Sequence, residues 1–215
     1  MADRSLPTEE ELRKLSLRAV VAYAARCARR VQPLSGWSSS EDSLAVKVAI
    51  SFGELIASHP QPEGFCNRGN HVLDMFARIP GAGGGASGFY YESVVAAACA
   101  VATAADSAIV AGRATAKGWT GATFDRACRD AICAAGTAAA RDNADADAAV
   151  RIAAAHTARA ASYQSILWAA CHDFAQLIPL STEPCPALGD PINLDALGLL
   201  WLAGEPDWYR KALKE

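Results

Sequence analysis

The sequence predicts an all-α protein, a single-domain helical bundle of five or six main helices with a proline-rich C-terminal tail. Three observations carry that expectation. Alanine, which loses no side-chain entropy on entering a helix, makes up roughly a fifth of the chain and exceeds its usual share. Apolar residues recur at spacings of three and four along several long stretches, while alternating β-branched runs are scarce. Proline, glycine and serine clusters punctuate those stretches at intervals that suit helix-to-helix turns. With 52% hydrophobic and 20% charged residues, the 215-residue chain has enough apolar surface to offset the entropy of folding.

The first helix is announced by Thr8-x-x-Glu11, a capping box whose carboxylates sit at the positive end of the dipole. Its apolar stripe runs Leu12, Leu15, Ala19, Tyr23, Cys27, Arg30, Val31, and the pattern reads as one continuous helix up to Pro33, with Arg26, Arg29 and Arg30 near its C-terminal end. A second helix is expected from Ser39 or Ser40 to about Ser58, with Leu44, Val48, Phe52, Leu55 and Ile56 as its apolar face. A short third helix is expected from Asn70 to Ile79, then the glycine-rich stretch Gly81 to Gly88 as a hinge. A fourth is expected from Tyr90 or Tyr91 to Ala116, and a fifth from Ala122 to Arg141. The sixth runs from Ala146 to Ile178, where Pro179 limits it, and its two apolar stripes suggest a central position, with Arg151, Arg159 and Asp173 marking a wet side. Residues 1–179 thus form the bundle. Residues 180–215 form an irregular connector with short helices that pack on it.

Charge and cysteine usage narrow the function. A net charge of −3 and no extended basic stripe argue against a nucleic-acid partner. Seven cysteines without a C-x-x-C pair suit a reducing compartment, and the acidic start of the chain does not resemble a signal peptide, so a cytoplasmic location is expected. The most apolar stretch, Ser93 to Gly112, is interrupted by Asp106 and reads as a core helix rather than a membrane span.

Motifs with defined chemistry fail on inspection. The glycine stretch lacks the Lys-Ser/Thr of a phosphate-binding loop, and Asn143, Asp145 and Asp147 lack the glycine and glutamate that complete a calcium loop. No Glu-x-x-His pair is present, so no cofactor is expected. What remains are candidates. Asp106, His156 and His172 are the groups able to serve catalysis. Arg26, Arg29 and Arg30 form the one basic cluster able to hold an anion. Cys66, His71 and Asp74 offer metal-ligating chemistry without a further ligand set nearby, and a surface pair is preferred to a metal there. Leu199, Leu200, Trp201 and Trp208 form an apolar tail anchor of the kind that partners bury.

The reading adopted from the sequence is a non-enzymatic interaction or scaffold protein of a bacterial-type intracellular system, with a protein partner or a second copy of itself. The alternative is a helical-bundle enzyme or small-ligand or metal-binding protein using Asp106 with His156 and His172.

Overall fold

A computed structural model describes residues 7–32, 40–61, 65, 156–184 and 187–212. The expected third, fourth and fifth helices, the glycine hinge and the start of the sixth lie outside these residues. Within them the chain is helical and contains no strand. Helix α1 spans Glu9–Leu12, α2 Leu17–Val31, α3 Ser40–Ser58 and α4 His156–Leu180. A 3₁₀ turn at Leu194–Leu197 and a short helix α5 at Asp207–Ala212 follow.

The capping box at the N-terminus forms reciprocally. The Thr8 amide donates to Glu11 Oε2 at 2.8 Å and the Glu11 amide to Thr8 Oγ1 at 3.2 Å. Those bonds from Thr8, the backbone one first, hold the Glu11 carboxyl below its ordinary value of 4.5.

The expected single first helix is two helices, broken between Leu12 and Leu17. The break follows from competition for the α2 N-terminus. Ser16 is extended and its Oγ accepts from the Ala19 amide, so it caps a new helix. The Leu17 and Arg18 amides donate to the carbonyls of Ala187 and Leu188 at 3.0 and 3.1 Å. The Val20 amide reaches Ser16 O at 2.9 Å. The Ser16 amide donates to Ser181 Oγ at 2.7 Å, so all four amides that a helix start leaves unpaired, those of residues 16–19, are satisfied, three of them by the C-terminal connector. Continuing the helix through Ser16 would take these donors away from the connector's carbonyls.

Helix α2 is the centre of the described structure. From Leu15 to Ala25 every residue is buried, and the helix packs against both α3 and α4. Helix α3 buries Ala45, Ala49 and Ala57 together with Val46, Ile50, Phe52 and Ile56. This shifts the buried face away from the one expected. Leu44 is 56% exposed and Val48 and Leu55 are only half-buried, while Phe52 and Ile56 of the expected face are buried together with Ala45, Ala49 and Ala57. Arg29 closes the edge of this contact through Glu54, with Nη2 2.6 Å and Nε 3.1 Å from its two carboxylate oxygens.

Helix α4 buries Leu167, Ala169, Ala170, Asp173 and Leu177 while Trp168, Gln176 and Ile178 face outward. It is one-sided over residues 167–180, where its side chains are described. The helix includes Pro179 in its last turn and ends at Leu180, two residues beyond the expected limit. Proline there removes one amide and the chain leaves the helix at once, with the Ser181 amide closing onto Ile178 O at 3.2 Å.

Candidate functional site

The connector after α4 has almost no regular structure, so its carbonyls need donors from elsewhere. Helix α2 supplies them from a stripe of arginines. Arg18, fully inside the structure, donates from Nη1 to Gly189 O at 3.0 Å and from Nη2 to Pro60 O at 2.8 Å. Arg26 donates to Gly198 O at 3.3 Å and to Leu199 O at 2.8 Å. Arg30 donates from Nε to Leu200 O at 3.2 Å. At about 100° per residue, positions 18, 26 and 30 fall within roughly a third of the helix circumference, which is why one face of α2 meets the whole run of connector.

Two of these guanidiniums are also ion-paired. Arg26 Nε lies 2.9 Å from Asp173 Oδ2, and Arg30 Nη2 bonds the same oxygen. Arg30 is 0% and Asp173 1% exposed. Two cations share one carboxylate, and the surplus positive charge is met by the main-chain carbonyls of residues 198–200. An arrangement of this kind keeps its partners only while all are in place, since a buried charge without a counter-charge is strongly unfavourable. Asp173, taken from the sequence as part of a wet helix side, is instead the buried counter-ion that joins α4 to α2. The signal available for it was its place on the buried face of α4, three after Ala170 and four before Leu177; its partner lies 143 residues away.

Trp201 closes the arrangement. It is buried with Ala169 and Tyr209, Leu200 packing on its edge. Its ring meets Tyr209 edge-on at 5.3 Å, and the Arg30 guanidinium carbon lies 6.0 Å from its centroid. Burial pushes the Tyr209 phenol above its ordinary 10.0, Glu205 adding to the rise while Arg29 and a hydrogen bond with Trp201 oppose it.

Of the residues singled out from the sequence, Arg26 and Arg30 come together with Trp201 and Leu200, while Arg29 turns to Glu54 and Gln32. Leu199 projects outward, 75% exposed, and Trp208 lies on α5. His156 opens α4 and His172, half-buried, lies sixteen positions along the same helix. That separation is about 24 Å of helix axis and places the two histidines on different faces, so they do not share a site. Asp106, Cys66, His71 and Asp74 lie outside the described residues. Among the described residues no three metal-ligating side chains cluster, and no helix is long and apolar enough to cross a membrane. Arg18 and Asp173 are the members of the site that residue patterning missed. No family model, no curated protein and no solved structure matches this chain, so the arginine stripe and the segment it holds stand as the features from which a function must be argued.

Proposed function

We propose that the chain is a non-enzymatic helical interaction protein of a bacterial-type cytoplasmic system, a bundle of five or six main helices whose C-terminal segment faces a protein partner or a second copy of itself. One observation carries the reading. Leu199 and Leu202, 75% and 46% exposed, flank a buried Trp201 on a segment whose backbone is held by the partly buried Arg26 and the buried Arg30. Fixing a backbone through guanidinium bonds while leaving its leucines in water suits a surface that is pre-organised for burial by something else.

The test is a paired comparison of the wild type and a Leu199→Asp, Leu202→Asp variant, both checked for unchanged helicity. Sedimentation velocity reads self-association, and quantitative recovery of partners from the native host reads hetero-association. The reading expects a species larger than the monomer, or a reproducible partner, that the variant loses. A wild type that is monomeric and recovers the same background as the variant would contradict it.

A further inference from the structure

The break between α1 and α2 is held from outside the helix. No residue from Thr8 to Gln32 is glycine or proline, and Leu12, Leu15, Ala19, Tyr23 and Cys27 keep one apolar face across the break. The Lys14 and Leu15 amides bond to the carbonyls of Glu11 and Leu12, both at 3.0 Å, so the chain stays coiled up to Leu15. Ser16 then turns it out: its φ of −69° suits a helix and its ψ of 161° does not. The amides of residues 16–18 reach Ser181 Oγ, Ala187 O and Leu188 O, and that of Ala19 reaches Ser16 Oγ. Rotation about ψ of Ser16 would hand all four to the carbonyls of residues 12–15 in their own helix, with no bonded amide lost.

The connector rests on the same break. Of the described residues from 181 to 191 none is buried; Ser181, Ala187, Leu188 and Gly189 are half-buried and the others exposed. Apart from the Ser181 amide on Ile178 O, the described bonds that leave this stretch all go to residues 16–18, while Thr182–Asp190 and Ala187–Pro184 close within it. The next anchor is Ile192, buried, its amide 2.9 Å from Ala57 O. Docked connector and continuous helix exclude one another. The Ala187 and Leu188 carbonyls stand where those of Arg13 and Lys14 would lie in a continued helix, and Gly189 lies so close to Ser16 that a Cβ would meet its Cβ and Oγ.

We propose that Ser16 is a two-position hinge set by the C-terminal connector: docking of residues 181–189 holds α1 and α2 apart, and their release joins the two into one helix from Glu9 to Val31. The device carries the state of the connector to the N-terminal segment, which swings onto the axis of α2 with Leu12 and Leu15 on the face that α2 buries. It goes beyond the outward-facing leucines, since it concerns the opposite end of the connector and needs no partner.

Nuclear magnetic resonance on the full chain reads both halves of the hinge. The Cα shifts of residues 13–17 report the backbone, and amide exchange over 181–190 reports docking. Two variants approach from opposite sides: Ser16→Ala weakens the cap and favours a continued helix, and Gly189→Ala pushes the connector off. The shifts of residues 13–17 should move toward helical values in the first and reach them in the second. Exchange over 181–190 should quicken roughly fivefold or more in each, the factor set by loss of a cap, while residues 20–31 keep their protection. Faster connector exchange with residues 13–17 still extended, or drifting to coil values, would overturn the hinge. Unchanged connector exchange in Gly189→Ala would overturn the mutual exclusion, whatever residues 13–17 do. If Gly189→Ala loses the fold, Ser16→Ala decides alone, and unchanged shifts or unchanged exchange in it overturn the proposal. Neither reading involves Leu199 or Leu202, so this inference and the proposed function can fail separately.

Discussion

Two of the contacts that helix α2 makes are built from opposite materials. Against α3 it uses alanines and branched aliphatics, with one ion pair at the rim. Against the C-terminal segment it uses arginines, a shared aspartate and main-chain carbonyls. The difference reflects what each partner brings. A helix satisfies its own backbone and needs only a complementary surface, so small side chains and close approach suffice. An irregular segment arrives with carbonyls exposed, and burying them demands long donors that reach out from the helix. The first contact should be tolerant of single changes at its rim and the second intolerant of losing any one of its ions.

The largest effect is expected at Asp173. Asp173→Asn leaves the buried Arg30 and the partly buried Arg26 without their shared counter-charge, and urea unfolding should show a loss of about 3–5 kcal/mol. A loss below about 1 kcal/mol would mean that the cluster is solvated in the native state. Next comes Gly189, whose φ is +76° and whose substitution would drive a Cβ into Ser16 Cβ and Oγ, at the cap of α2. Gly189→Ala should cost about 1–3 kcal/mol by the same measurement. Smaller still is a pH effect confined to the C-terminal turn. The Tyr209 phenol is held neutral in the folded chain, so its contribution is fully present below pH 10.0 and is lost as pH rises through the higher folded value. Tyrosinate absorbance should report ionisation above pH 10.0 together with faster exchange at residues 198–212. The smallest is the rim pair, where Arg29 and Glu54 side chains are 29% and 30% exposed. A double-mutant cycle should return about 0.2–1 kcal/mol, falling as salt is added.

The two contacts also differ in how far the sequence discloses them. The Thr8–Glu11 capping box and the limits of α3 rest on neighbours within a few residues, and both are readable from local spacing. The break before α2 is not, because the Leu12, Leu15, Ala19 stripe runs straight through it while the residues that favour it, Ser181 and Ala187 to Gly189, lie more than 160 positions away. The cluster of Arg26, Arg29 and Arg30 is visible as a basic group at a helix end, a position favourable to cations on dipole grounds alone. What the guanidiniums hold is not visible, since Asp173 and the carbonyls of residues 198–200 enter only through tertiary packing. Trp201 and Leu199 stand out in the sequence as one apolar anchor, yet the backbone turns one inward and the other outward, a distinction that composition does not carry.

Arginines on α2 take the place of secondary structure in holding the C-terminal segment. The most direct test of this is hydrogen exchange by mass spectrometry on an Arg18→Met, Arg26→Met variant, which keeps much of the side-chain bulk and removes the donors. Exchange should accelerate across 187–204 while the α2–α3 contact keeps wild-type protection. Unchanged protection of 187–204, or an equal loss along α2 and α3, would contradict the claim.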